Sequence, residues 1–479
     1  MGVVLALLPL LPGIATRRVD WLFAGYVTAL FTPFQTGVAS ASVVVIVVLV
    51  ARQHKALIAA VRTPGTMFFL VAYLIFLCAQ WAAGYGVLHT PFSIGASVFM
   101  TVATPVAVLL LGWRLAREER SERWMDLAAS IIVAEALVIV LLPLCIGKPV
   151  LLAAAVNGIL KPVYTVLGVS HTFPWYDPDW NQGSISIVNY STVVMTLGAM
   201  HFFVRVLRMR RAFDAVAMVL LIFAAFMGEN AMAVGAAGAA FAITLVIGAA
   251  LRFISAMPAT RNENIRTAVL LLLMITGVWG FLKITYLGNG VFAGTQKGRF
   301  YETVGSRMSE RPLRMLLGYG AGAYGSRIAY ARLGADPYEI STQLKRVYGI
   351  AILDTTFASS DYARDFRMAA SKDAEWVGSS QGLMVSGLVS IAVENGGAGV
   401  LLLLLLSWPM LRRITTGTIT ASLFDRDLAV FGIAFLILLS VFFNYNEIPT
   451  ATAVLLFPAC FTGFAVSANL GQTQRLVPS

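Results

Sequence analysis

Charge is scarce in this chain of 479 residues: Asp, Glu, Lys and Arg make up 12% of it, whereas hydrophobic residues make up 58%. Soluble globular domains carry about 25% charged residues. The deficit excludes an ordinary soluble domain, because such a domain needs a charged, hydrated surface. The composition therefore predicts a polytopic membrane protein.

Cysteine and histidine are also few, and they are poorly placed for chemistry. The three cysteines, Cys78, Cys145 and Cys460, each lie in an apolar run, which argues against a disulfide framework or a zinc site. Four histidines are scattered without ligand spacing, so we expect no metal and no cofactor. Walker, HExxH, CxxC and G-x-S-x-G motifs are absent, which removes support for ATP-driven transport and for zinc or serine hydrolases.

Apolar segments of about membrane-spanning length dominate the chain instead. They lie near 66–83, 92–113, 125–146, 185–204, 213–228, 231–251, 267–286, 380–407, 428–443 and 451–467. Before them come Val3–Ile14 and Trp21–Val50, the second being one helix kinked at Pro33 or two half-helices turning at Thr32–Gly37. We favour one helix, because about thirty residues are few for two crossings. The expected fold is an all-α polytopic membrane protein with about twelve transmembrane helices, or about thirteen if this segment is a hairpin.

The basic loops predict the orientation of these helices. Lys/Arg clusters occur at Arg52–Arg62, Arg114–Arg123, Arg205–Arg211, Arg252–Arg266 and Arg412–Arg426. Each cluster is separated from the next by an even number of spans, so all of them fall on one side, which is the cytoplasm. This bias accounts for the net charge of +11 without nucleic acid as a partner.

The chain is expected to have three parts. Residues 1–286 form the first part of the transmembrane bundle, 287–378 a large loop outside the membrane, and 379–479 the last transmembrane helices and a cytoplasmic tail. Connections longer than about 15 residues are usually functional or disordered. Because the loop is rich in aromatic residues, we expect a folded, partly helical cap.

Arginines in this loop are candidates for phosphate binding. They are Arg299, Arg307, Arg311 and Arg314, and the last three recur at helical spacing. In one helix these three would share a face, although Pro312 makes the start of such a helix uncertain. Guanidinium groups at an outer membrane surface suit bidentate binding of pyrophosphate. The alternative is that they form solvated salt bridges with nearby glutamates.

Two outer connections carry candidates for a catalytic base. Glu229 lies between two spans, where a carboxylate is either functional or part of a hydrated turn. His171 and Asp177 lie among aromatic residues that would stack on sugar rings or form an interfacial belt. Glu394 lies within an apolar run and is followed by Gly396, Gly397 and Gly399, so we expect a helix break there with a polar partner for Glu394.

Three segments carry a resemblance to a known family. The segments Lys297–Val304 and Arg311–Gly322 look like the pattern G-R-x-x-x-W…P-x-x-G-x-G, and Val393–Leu402 resembles E-x-G-x-x-G-x-x-L. With these motifs and its topology, the chain resembles the O-antigen ligase and Wzy-type polysaccharide polymerase superfamily. Members have about a dozen spans and one large periplasmic loop late in the chain.

The chain departs from the family pattern at three places. Thr303 stands where the first motif has tryptophan, and Glu229-Asn230 stands where the family often has a Ser-Arg pair. Val385-Ser386 stands where a His-Asn pair is common, so the family's proposed base is missing. This last departure weakens the ligase interpretation more than the polymerase interpretation.

The resemblance implies an inverting, metal-independent glycosyl transfer at the periplasmic face of the bacterial inner membrane. The donor would be an oligosaccharide repeat unit on undecaprenyl pyrophosphate, and the acceptor a sugar hydroxyl. Arg299, with Arg307, Arg311 and Arg314, would bind the pyrophosphate, and Glu229, Asp177 or His171 would take the acceptor proton. Expected partners are the lipid-linked glycan, membrane lipid, and chain-length regulator and flippase proteins. The alternatives are a transporter or flippase, a non-catalytic component of an export system, and an O-antigen ligase.

Overall fold

The structure is a computed structural model, and every element it describes is helical. The described residues are 2–16, 18–31, 41–42, 44–45, 47–48, 51–52, 58, 72–80, 82, 121–145, 189–227, 231–256, 263–285, 302, 305–306, 308–318, 320, 387–416, 423–442 and 462. The helices are α1 (Gly2–Leu7), a 3₁₀ turn (Leu8–Leu10), α2 (Leu11–Thr16), α3 (Val19–Leu30), α4 (Ser121–Cys145), α5 (Asn189–Met209), α6 (Ala212–Met227), α7 (Ala231–Ala256), α8 (Glu263–Thr285), α9 (Pro312–Leu317), α10 (Gly387–Thr416) and α11 (Leu423–Phe442). Within this part of the chain the all-α expectation is confirmed.

Membrane-length helices are present among the described residues. Two segments are long and apolar enough to cross a membrane, Val234–Leu251 in α7 and Asn264–Ile284 in α8. Shorter apolar helices cover Thr192–Leu207, Ala212–Met227, Ala392–Leu405 and Leu428–Leu439. Large apolar side chains such as Val246, Leu272 and Trp279 lie exposed on α7 and α8. Exposed apolar faces of this extent are typical of surfaces covered by lipid or by another protein.

The first residues of the chain fold back on themselves. The hydroxyl groups of Tyr26 and Ser42 are hydrogen-bonded at 3.0 Å. In one continuous helix these residues would be about 24 Å apart along the axis. Arg52 also donates hydrogen bonds to the carbonyl oxygens of Gly13, at 3.3 Å, and Ile14, at 3.0 Å. The single long helix favoured for Trp21–Val50 is therefore wrong. The contact favours the alternative in which this segment turns back, but the predicted turn at Thr32–Gly37 lies outside the described residues.

The core forms around α5 and α11. Every residue from Thr192 to Phe202 is buried on α5, and so is every residue from Leu428 to Phe435 on α11. Gly198 allows the close approach of α4 and α6, since a Cβ there would lie 3.1 Å from Ile132 and 3.2 Å from Leu221. Two helices thus supply the centre on which the others pack.

Basic residues near the ends of several helices lie at one end of the bundle. The hydroxyl groups of Thr267, in the second turn of α8, and Thr415, in the last turn of α10, lie 2.9 Å apart. The two helices are therefore antiparallel, and Arg266 and Arg412 lie at the same end. The short connections between α6, α7 and α8 bring the start of α6 to this end as well. We call it the cationic end.

Candidate functional site

A break in α10 is where three distant parts of the chain meet. At Gly396 the backbone has φ 62° and ψ −174°, so the helix is interrupted and resumes after this residue. The side chains of Glu394 and Asn395, immediately before the break, are buried. The expected helix break at this position is confirmed.

The segment that follows α9 fills this break. The N–H of Gly320 donates a hydrogen bond of 3.0 Å to the carbonyl oxygen of Glu394. At Gly318, where φ is 80° and ψ −178°, a Cβ would overlap that same carbonyl oxygen. A Cβ at Gly396 would in turn overlap the Gly318 nitrogen and the Leu316 oxygen. Both glycines hold a conformation that is essentially restricted to glycine, so the contact between the two backbones requires glycine on each side.

The third part is the helical segment 72–80. The side-chain amide of Gln80 donates a hydrogen bond to the carbonyl oxygen of Leu317, the last residue of α9. On the next turn of α10, a Cβ at Gly399 would lie 2.6 Å from the ring of Phe76. Gln80 therefore satisfies a carbonyl at the C-terminus of α9 that has no partner within the helix. The break, the end of α9 and segment 72–80 form one packed unit, which we call the α9–α10 junction.

Two of the predicted arginines lie beside this junction. Pro312 is the first residue of α9, a position that suits proline because no intrahelical N–H bond is needed there. Arg311 therefore precedes α9, and only Arg314 lies within it. Both side chains are partly buried, and Arg314 Nη1 lies 3.5 Å from the carbonyl oxygen of Gly318.

The chain just before α9 shows how Pro312 affects the helix in this region. Residues 305–306 and 308–309 are helical, and the N–H of Arg311 donates to the carbonyl oxygen of Met308 at 3.2 Å. A turn at Glu310 then separates these residues from α9. The helical spacing of Arg311 and Arg314 is real, but proline restarts the helix between them.

The remaining predicted site residues, Arg299, Arg307, Glu229, His171 and Asp177, lie outside the described residues. In the sequence, Glu229 falls between the end of α6 and the start of α7. Because α6 starts at the cationic end, its last residue, Met227, lies at the opposite end. The α9–α10 junction lies toward that same opposite end, since α10 finishes at the cationic end.

A second polar cluster was missed by the sequence analysis. His201 Nε2 lies 3.2 Å from Asp126 Oδ1, and Arg205 Nη1 donates to the same oxygen at 2.7 Å. Arg205 Nε also lies 3.2 Å from Oδ1 of Asp214, whose side chain is completely buried. The guanidinium group of Arg205 stands 5.6 Å from the ring of Phe202. Arg205 thus connects α4, α5 and α6 at the cationic end.

One signal could have identified this cluster. His201 and Arg205 are spaced four residues apart within an apolar helix, so they project from one face. Polar side chains inside such a helix usually pair with one another. The sequence does not say which carboxylates they meet, because that depends on which helices are neighbours. The cluster lies at the end opposite the α9–α10 junction, and its contacts join side chains of α4, α5 and α6.

Neither polar region is suited to a metal ion. Among the residues that the structure describes, no three His, Cys, Asp or Glu side chains are grouped so that they could hold one.

Comparison with protein-family models, with curated proteins and with solved structures finds no match. The α9–α10 junction is the candidate site, because it joins partly buried arginines to a break in a core helix.

Proposed function

We propose that this chain is a glycosyltransferase of the bacterial inner membrane. It polymerises oligosaccharide repeat units carried on undecaprenyl pyrophosphate, at the periplasmic face. The observation that supports this proposal is the contact between Gly318–Gly320 and Glu394–Gly396. These residues belong to the second and third of the segments that resemble the polymerase and ligase superfamily. Two motifs that are far apart in the chain meet at one place, as parts of a common site would.

The side chains around the junction fit the first requirement of the reaction, which is binding of the pyrophosphate. Arg311 and Arg314 are partly buried there, and a guanidinium group in such a setting makes charge-assisted, planar contacts with phosphate oxygens. Negative charge grows on the pyrophosphate as its bond to the sugar breaks. Arginines held by a packed backbone stabilise that charge without having to reorganise.

The reaction itself requires one proton acceptor. An acceptor hydroxyl attacks the anomeric carbon of the donor sugar, and the bond from that carbon to the phosphate oxygen breaks. Undecaprenyl pyrophosphate leaves with the electron pair, and the hydroxyl proton passes to a base. Glu229 is the leading candidate for this base, since the helices that flank it in the sequence, α6 and α7, end and begin at the same end of the bundle as the junction. His171 and Asp177 are the other candidates on the same predicted side.

A transporter is the second candidate, and the broken helix α10 is the observation that favours it. Transporters use breaks of this kind to present free backbone groups to a substrate or an ion. Here, however, the chain at Leu316–Gly320 occupies the break and hydrogen-bonds the Glu394 carbonyl. A break filled by the protein's own backbone is better suited to anchoring a loop than to binding cargo. This favours the glycosyltransferase.

A deletion strain tests the proposal. If the chain polymerises repeat units, its loss should leave single repeat units attached to lipid carrier on the periplasmic side, with no polymer. A lost flippase would leave the same lipid on the cytoplasmic side, and a lost ligase would leave long polymer on the carrier. Mass spectrometry of extracted lipids, with a periplasmic glycosidase to report sidedness, separates these outcomes. Normal polymer in the deletion strain would refute the proposal.

A further inference from the structure

The short helix α9 exposes an unusual amount of apolar side chain. The exposed fractions are 68% for Leu313, 55% for Met315, 56% for Leu316 and 44% for Leu317. The polar residues just before it, Ser306 and Ser309, are exposed as well. Four large apolar side chains on six residues need a cover that excludes water. The question is what covers them.

The position of α9 along the length of the bundle, which we call its height, indicates what covers these side chains. Thr267 on α8 is in contact with Thr415 on α10. From Thr267 to its last residue, Thr285, α8 is about 27 Å long, because a helix rises about 1.5 Å per residue. Along α10, the distance from Thr415 back to Gly397 is again about 27 Å. The carbonyl oxygen of Met315 would lie 3.6 Å from a Cβ at Gly397, so α9 is level with the end of α8.

This height coincides with the thickness of a bilayer. The hydrocarbon core is about 30 Å thick, so with the cationic end at one surface, α9 lies at the other. Ile284 on α8 is 68% exposed at nearly the same height. The exposed apolar side chains of α9 therefore continue a surface that α8 presents near the edge of the membrane.

We infer that α9 is a membrane-interface helix whose apolar face, Leu313, Leu316 and Leu317, is inserted into the acyl chains of the outer lipid leaflet. The flanking charges agree with this placement. Arg311 precedes the apolar residues and Arg314 lies among them, and arginines at an interface reach lipid phosphates while their stems stay in contact with hydrocarbon. The α9–α10 junction fixes the helix at this depth. The inference does not depend on the proposed reaction.

Spin labels measure this depth directly. Cys78, Cys145 and Cys460 are first replaced, and single cysteines are placed at Leu313, at Leu316 and, as controls, at Ser306 and Ser309. Each variant is labelled in lipid nanodiscs, and collision rates are measured with oxygen, which enters bilayers, and with a water-soluble nickel chelate. The ratio of the oxygen collision rate to the nickel-chelate collision rate should be several-fold higher at 313 and 316 than at 306 and 309. A label at Ile284 calibrates the edge of the bilayer.

Two results would overturn the inference. A ratio at 313 and 316 equal to that at 306 would mean that the face of α9 is in water. Low collision rates with both reagents would mean that protein covers the face, either another part of the chain or a second copy. Leu313→Cys and Leu316→Cys are separate variants of the same helix. If one of them does not fold, the other still tests the inference. Neither result bears on catalysis, so the proposed reaction is judged separately.

Discussion

Gly318 and Gly396 form a contact between two backbones in which each residue excludes a side chain on the other. A Cβ at Gly396 would overlap the nitrogen of Gly318, and a Cβ at Gly318 would overlap the nitrogen of Gly396. Both residues also have φ values, 80° and 62°, that disfavour any other residue type. The contact connects the end of α9 to the break in α10, and Arg311 and Arg314 lie beside that break.

Alanine at either glycine should destabilise the protein. The backbone conformation alone costs about 1–3 kcal/mol for a residue other than glycine. Displacement of the Glu394 or Gly318 backbone would add to this cost. Thermal unfolding of the detergent-purified Gly318→Ala and Gly396→Ala variants measures the effect. Gly238→Ala in α7 is the matched control, since a Cβ there has open space and a helical Gly→Ala change contributes up to about 1 kcal/mol. Equal melting temperatures for all three variants would contradict the contact.

Arg205 should be the most sensitive polar residue at the cationic end. Its removal leaves the carboxylate of Asp214 buried without its cation, and breaking a buried ion pair in this way costs roughly 3–5 kcal/mol. Asp126 is half exposed, so Asp126→Asn should change stability by no more than about 1 kcal/mol. Melting temperatures of the two variants test the difference. A double variant, Arg205→Met with Asp214→Leu, should recover part of the loss, and no recovery would show that Arg205 acts in another way.

The orientation of the chain can be tested with single cysteines in intact cells. Positions in 114–123 and 252–266 should be protected from a membrane-impermeant thiol reagent, because these basic loops are expected in the cytoplasm. Positions in 287–378 should be labelled. Opening the cells should expose the protected positions, which controls for burial within the protein. Labelling at 114–123 in intact cells would overturn the predicted topology.

The positions of several helices were predicted from the sequence, although some limits differ, as for the run 380–407 and α10 (Gly387–Thr416), whereas contacts between helices were not predicted. The apolar run 213–228 corresponds to α6 (Ala212–Met227), because a continuous apolar run determines where a helix lies. Glu394 followed by three closely spaced glycines correctly predicted the break in α10, since both features oppose a regular apolar helix. The sequence did not predict the tight contact between this break and the Gly318 backbone, which the structure shows.

The errors have physical reasons as well. Apolar composition is the same for a helix that crosses once and for two half-helices that fold back, so it did not predict the Tyr26–Ser42 contact. The spacing of Arg311 and Arg314 is compatible with one helix, but Pro312, which made the start of such a helix uncertain, is where α9 begins. The pairing of Arg205 with Asp214 depends on which helices are neighbours, and no periodicity within one helix contains that information.

Arg299 should be the most important of the arginines proposed to bind pyrophosphate, because it is the one that the first motif supplies. Arg299→Lys keeps the charge but loses the planar pair of donors, so it should retain partial function, whereas Arg299→Ala should retain very little. A solvated salt bridge with Glu302 would contribute only about 0–1 kcal/mol, and both variants would then make near-normal polymer. Polymer yield in a complemented deletion strain distinguishes these cases, with membrane abundance as the control.

The central claim is that this chain joins lipid-linked repeat units, and reconstitution tests it most directly. The purified protein in lipid vesicles is given repeat units on undecaprenyl pyrophosphate, without nucleotide or added metal. The account predicts a ladder of longer lipid-linked glycans, one free undecaprenyl pyrophosphate for each bond formed, and loss of both products with Arg299→Ala. Folded wild-type protein that forms neither product above the level of protein-free vesicles would contradict it.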